Sequence, residues 1–169
     1  WTDRFFWTGD NVRLHYRDYP GADDRPALLC VPGLTRNARD FDAFAARFAP
    51  RHRVLTASLR GRGESGYARD PLTYVPLTYL QDLSLLLDDA GVSRVVLVGT
   101  SLGGLIGMLL GATREARLAG LVLNDVGPAI EWAALERIGQ YLGKAGTFES
   151  VDAAAARLRE ISAGFGPHT

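Results

Sequence analysis

Ser101 has a glycine two residues away on either side, in Gly99-Thr100-Ser101-Leu102-Gly103. An apolar run, Val95-Val96-Leu97-Val98, leads into it, and Leu105-Ile106-Gly107-Met108-Leu109-Leu110 follows with the character of a buried helix. A strand that turns at once into a helix through Gly-x-Ser-x-Gly holds its serine in a strained conformation, with Oγ above the sheet edge. The two glycines keep side chains out of the place where strand and helix nearly touch. Ser101 is therefore a candidate nucleophile. The bare pattern is weak in a chain with 19 glycines among 169 residues, and a glycine-rich turn that merely packs tightly is the competing reading. The apolar strand before it and the helix after it favour the nucleophile.

The elements that must position Ser101 can be read along the chain. Arg4 to Trp7 and Val12 to Tyr19 form a hairpin around Gly9-Asp10-Asn11, with Val12, Leu14 and Tyr16 on one face. Ala27 to Val31 is a short buried strand ending at Pro32-Gly33. Asp40 to Phe48 repeats Phe41, Phe44, Ala45 and Phe48 at helical spacing. Arg53 to Leu59 is the next strand, and a glycine-rich loop then runs to Pro71. Pro76 suits a first helical position, and Leu77, Leu80, Leu83, Leu87 and Ala90 mark a helix face up to Gly91. The Ser101 strand and its helix follow, then a strand from Leu118 to Asn124. Strands alternating with helices after an antiparallel start imply an α/β fold with a mostly parallel sheet covered on both faces. Past Pro128, Ile130 to Leu142 and Val151 to Ile161 read as alanine-rich amphipathic helices with no strand between them. The expected division is a core over residues 1–127 and a helical piece over 128–169.

Composition narrows the class. Hydrophobic residues make up 47% and charged residues 22%, with a formal net charge of zero. No basic block or basic–aromatic interleaving points to nucleic acid. The longest apolar stretch, Leu102 to Ala112, is too short to span a bilayer, so no membrane partner is expected. Nothing has the character of a signal peptide, and the single cysteine, Cys30, fits a reducing compartment; the expected location is cytoplasmic. Cys30 itself reads as a small buried apolar residue. Trp1 in place of methionine implies that the natural start lies upstream.

Four segments resemble, in order, motifs of the α/β-hydrolase superfamily, in particular its lidded carboxylesterases, lactonases and carbon–carbon bond hydrolases. Leu29-Cys30-Val31-Pro32-Gly33-Leu34 is similar to the strand-end loop that supplies half of the oxyanion hole. Leu59-Arg60-Gly61-Arg62-Gly63-Glu64-Ser65 resembles the Arg-Gly-x-Gly-x-Ser loop. Val98-Gly99-Thr100-Ser101-Leu102-Gly103-Gly104 is the nucleophile elbow, and Leu121 to Pro128 is similar to the sixth-strand end before the lid. Pro32 departs from the pattern, standing where most relatives have histidine. The resemblance implies an α/β-hydrolase fold, incomplete here, with residues 128–169 as the start of a helical lid. It implies a serine hydrolase acting on a small carboxylic ester or lactone through an acyl-enzyme at Ser101. The oxyanion donors would be the backbone N–H groups of Leu34 and Leu102, and neither cofactor nor metal is expected. Haloalkane and epoxide chemistry is disfavoured, since those relatives carry aspartate at the elbow.

A serine becomes a nucleophile at neutral pH through a histidine base oriented by a carboxylate. In this family the order is serine, acid, histidine. His15 and His52 precede Ser101 and read as structural, while His168 lies at the end of the sequence, inside the apparent lid. The expectation is that the base, and with it the acid, lies beyond residue 169, in two further βα units of about 60–100 residues. A separate chain carrying the remaining C-terminal part is another arrangement to consider. Asp125, at the sixth-strand end, is a candidate acid, with a turn-fixing role the more ordinary reading. Arg36 and Arg39, after the oxyanion loop, are candidate contacts for an anionic end of the substrate. Ile130, Trp132, Leu135, Ile138, Tyr141, Phe148, Leu158, Ile161 and Phe165 are candidates to roof Ser101, with Trp132 singled out for substrate binding.

Two other classes compete. Gly61-Arg62-Gly63-Glu64-Ser65-Gly66 fits the dinucleotide pattern G-x-G-x-x-G, but Tyr67 to Pro71 opens no helix to hold a pyrophosphate. A hydrolase fold serving as a non-catalytic receptor or binding module is the second. Carbon–carbon bond hydrolysis remains an alternative within the same fold.

Overall fold

A computed structural model describes residues 1–140, 142 and 146–161. Tyr141, Phe165 and His168 lie outside the described residues, as does the side chain of Ile161. Among the described residues, six strands and five α-helices follow one another: β1 (Thr2–Trp7), β2 (Arg13–Tyr19), β3 (Ala27–Val31), α1 (Asp42–Phe48), β4 (Val54–Ser58), α2 (Pro76–Asp89), β5 (Val95–Thr100), α3 (Leu102–Ala112), β6 (Leu118–Asn124), α4 (Trp132–Gly139) and α5 (Val151–Ile161). They form two compact units, Trp1–Pro128 and Ala129–Thr169.

The first unit holds one sheet in the order β1-β2-β4-β3-β5-β6. β1 and β2 pair antiparallel, β2 joins β4 antiparallel, and β4, β3, β5 and β6 run parallel. The period-two alternation of the central strands divides the apolar residues between two cores. Ala27, Leu29 and Val31 of β3 pack with Leu83, Leu87, Ile106 and Leu110 of α2 and α3. Leu28 and Cys30 face the other way, onto Phe41 and Ala45 beside and within α1. Both faces of the central strands β3 and β4 are thus covered, which is why they are buried throughout, whereas β6 leaves Ala119 and Val122 exposed.

Two details differ from the sequence expectation. The helix expected from Asp40 begins as a 3₁₀ turn over Ala38–Phe41, because the Asn37 side chain accepts the Arg39 N–H at 3.1 Å. Phe41, at φ −103° and ψ 8°, then breaks it from α1. The hidden face of β2 is the second. Val12, Leu14 and Tyr16 pack into the larger core as expected, yet His15 and Arg17 on the opposite face are also buried. His15 meets Asp3 at 2.9 Å and Ser58 at 3.1 Å, and Arg17 donates to Asp42 at 2.6 and 2.8 Å. Paired partners make that burial tolerable.

Candidate active site

Ser101 sits between the last residue of β5 and the first of α3, at φ 50° and ψ −112°. A left-handed φ on a non-glycine residue costs on the order of 1–3 kcal/mol and persists only where the surroundings enforce it. Here they do. The Ser101 N–H donates to the Asn124 carbonyl at 3.0 Å, and its own carbonyl accepts from Gly104 and Leu105 at 2.9 and 3.1 Å. Strand and helix approach so closely that a Cβ on Gly99 would lie 2.5 Å from the Gly103 carbonyl carbon. One on Gly103 would drive into the Val31 carbonyl. Both glycines are therefore obligatory, and the second locks α3 against the end of β3. Ser101 is half-buried, and its Oγ has no hydrogen-bond partner among the described residues.

The loop after β3 lies beside it: a Cβ on Gly33 would sit 3.7 Å from Ser101 Cβ. The Gly33 carbonyl accepts the Arg36 N–H at 3.1 Å. Across a trans peptide the N–H points opposite to the carbonyl, so the Leu34 N–H faces away from that turn. Leu102 opens α3, where the first N–H groups lack intrahelical acceptors and the helix dipole favours negative charge. Neither the Leu34 nor the Leu102 N–H is engaged by another described residue. Two backbone donors free of other described residues beside a candidate nucleophile suit a developing oxyanion.

The remaining candidates are placed as follows. Asp125 stands directly after Asn124, whose carbonyl holds Ser101, with φ 56° and an exposed side chain that bonds to no described residue. His15 is committed to Asp3 and Ser58 on β1 and β4, and His52 Nδ1 lies 3.2 Å from the Pro26 carbonyl. Neither is brought to Ser101. Arg36 and Arg39 are exposed and make loose ion pairs, with Asp40 at 3.4 Å and Glu64 at 3.6 Å. Trp132 belongs to the second unit, exposed on α4 and donating to Glu136 at 2.9 Å. Burial alone pushes the Cys30 thiol well up, as expected of an inert apolar side chain.

The G-x-G-x-x-G segment offers no phosphate cradle. Four of its six N–H groups are spent on backbone carbonyls, Gly61 donating to Gly66, Arg62 to Leu59, Ser65 to Arg62 and Gly66 to Arg13, and no helix follows to hold a pyrophosphate. The role of the residue just before it escaped the sequence reading. Arg60 is only 1% exposed, and its guanidinium grips Asp82 of α2 at 2.7 and 2.8 Å and Asp10 of the β1–β2 turn at 2.7 Å. The signal available was Asp82 itself, a carboxylate among the leucines of α2. An open cleft of about 460 Å³ lies where β3 and β5 begin, lined by Arg25, Pro26, Arg53, Val92, Ser93 and Arg94 among others. That edge is about 20 Å from Ser101, the length of a six-residue strand, so the cleft is remote from this chemistry. Among the described residues no group of three or more His, Cys, Asp and Glu could hold a metal ion. No helix among them is long and apolar enough to cross a membrane.

A parallel sheet with helices on both faces and a serine elbow at its edge defines the α/β-hydrolase architecture. Residues 26–162 match the family model described as alpha/beta hydrolase fold, and the chain belongs to that family. It is 40% identical over 157 residues to a 3-hydroxybutyrate-oligomer hydrolase of Cupriavidus necator, covering 93% of this chain and 54% of that protein. An sn-1-specific diacylglycerol lipase of Mus musculus, ABHD11, is 34% identical over 117 residues, covering 68% and 37%. The crystal structure of an alpha/beta hydrolase from Novosphingobium aromaticivorans superposes with a TM-score of 0.87 at 53% identity, covering 94% of this chain and 56% of that one. The chain spans about half the length of the first of these relatives.

Proposed function

We propose that the protein is a serine hydrolase of small carboxylic esters or lactones, with Ser101 as nucleophile. The observation that carries this reading is the strained Ser101 backbone beside two unengaged N–H donors, those of Leu34 and Leu102. Ser101 Oγ attacks the ester carbonyl carbon as its proton passes to a histidine base. The carbonyl electrons move onto oxygen, between the two N–H groups. Collapse expels the alcohol, which takes the proton from the histidine, and water then releases the acid by the same route. His15 and His52 are committed elsewhere, so the base is a histidine beyond residue 169 or, as the lesser alternative, His168. Asp125 is the candidate acid within the chain. By the family resemblance residues 128–169 are the start of a helical lid, and Trp132 is a candidate for binding an apolar part of the substrate.

The similarity to a 3-hydroxybutyrate-oligomer hydrolase supports an ester substrate. Such an oligomer is a run of short esters ending in a carboxylate, and Arg36 and Arg39 are the exposed cations near the oxyanion loop that would meet an anionic end. Residues 1–169 alone are expected to be inactive. In the full-length protein, Ser101→Ala abolishes turnover of short p-nitrophenyl esters, and a fluorophosphonate probe labels Ser101 in the unaltered protein. Unchanged turnover in the variant refutes the assignment. An unlabelled but folded protein points instead to a binding module. Arg36→Ala and Arg39→Ala raise KM for a carboxylate-bearing ester and leave a neutral one unaffected.

A further inference from the structure

Arg62 is a cation without a carboxylate: among the described residues it forms no ion pair. Its donors go to three neutral oxygens from three segments. Nε donates to the Leu34 carbonyl at 2.9 Å, and Nη1 to the Arg60 carbonyl at 2.7 Å and to Tyr79 Oη at 3.0 Å. The guanidinium carbon also lies 5.8 Å from the Tyr74 ring centre and 5.4 Å from that of Tyr79. Tyr79 is a buried residue of α2, so the far end of this clamp is anchored in the core.

The near end grips the loop that needs anchoring. The Leu34 side chain is 38% exposed, so packing alone does not fix its backbone. Two peptide planes meet at Leu34. The one before it carries the Leu34 N–H and is held through the Gly33 carbonyl by the Arg36 N–H at 3.1 Å. The one after it is held through the Leu34 carbonyl by Arg62. With both planes pinned, the direction of the Leu34 N–H is fixed before any substrate arrives. Without Arg62 the second plane can rotate and carry the first with it.

The geometry points to Arg62 as the positioning residue of the candidate oxyanion hole, setting the direction of the Leu34 N–H through a hydrogen bond to the next carbonyl. It rests on the reading of Ser101 as nucleophile. Arg62 touches neither substrate nor Ser101; its effect passes through the loop. A misaimed donor weakens the transition state and leaves ground-state binding largely intact.

The test compares Arg62→Met and Arg62→Lys with the unaltered full-length protein. Fluorophosphonate titration of Ser101 counts competent sites, and an alkyl trifluoromethyl ketone serves as a probe that forms an oxyanion on serine. For Arg62→Met, kcat per titrated site falls about ten- to hundredfold while KM stays within about twofold. The ketone Ki, which does not depend on how much protein is folded, rises by a similar factor. Lysine keeps the charge but cannot reach all three oxygens, and it restores part of both losses. An unchanged kcat per site, or a loss of sites with an unchanged Ki, overturns the inference and leaves Ser101 as nucleophile. Absence of Ser101-dependent turnover in the unaltered protein removes both readings, and the Ser101→Ala comparison reveals that before any Arg62 variant is made.

Discussion

At φ 50° and ψ −112° Ser101 holds a backbone conformation that glycine adopts without strain. Ser101→Gly is therefore expected to be more stable than Ser101→Ala by about 1–2 kcal/mol, both being inactive. Chemical denaturation of the two variants measures this, and equal midpoints would mean that the elbow stores no strain. Gly103→Ala, whose Cβ meets the Val31 carbonyl, costs about 3 kcal/mol or prevents folding, read from thermal unfolding. This site was legible in sequence because the elbow needs only covalent spacing: glycines two residues from a serine are close in space wherever a strand turns into a helix. The proposal of Leu34 as a donor came only through the resemblance. Arg62 was not, since its partners at Leu34 and Tyr79 are 28 and 17 residues away, and no local pattern joins them.

The elements were mostly marked by apolar runs with glycine or proline at their ends. β3, β6 and α5 have the expected bounds, Ala27–Val31, Leu118–Asn124 and Val151–Ile161. Ion pairs between elements left no such mark. Arg60 joins Asp82 and Asp10 across 22 and 50 residues, tying the β4 end to α2 and to the first hairpin. Removing one partner strands a buried charge, so Asp82→Ala is expected to cost about 3–5 kcal/mol, and Arg60→Met with Asp82→Leu considerably less. Urea titration of both variants tests the order, and a double variant no better than the single would count against it. Hydrogen bonds from Arg60 and Thr8 hold the Asp10 carboxyl below its ordinary value of 3.8. A carboxyl depressed in the folded state contributes stability that is present above 3.8 and lost as pH falls through the lower folded value. Asp10→Asn should flatten that acid limb in melting temperature against pH.

For the molecule as a whole, the mostly parallel sheet with helices followed from alternating strand and helix patterns. The strand order did not, because β4 and β5 both lie against β3 through crossovers that sequence does not order. β6 is the outer strand of the described sheet, and its Val122 is 48% exposed. An apolar edge invites further pairing. Residues 1–169 expressed by themselves are expected to associate, which light scattering would detect; a monomer with a sharp cooperative melt would contradict this. The hydrogen bond from the Ser101 N–H to the Asn124 carbonyl means that Ser101 hangs from this outer strand as well as from its own. Its amide proton can meet solvent only when β6 lets go. Deuterium uptake at Ser101 should therefore keep time with the opening of β6 rather than with the fraying of α3, making that one proton a clock for how often this edge of the sheet comes apart.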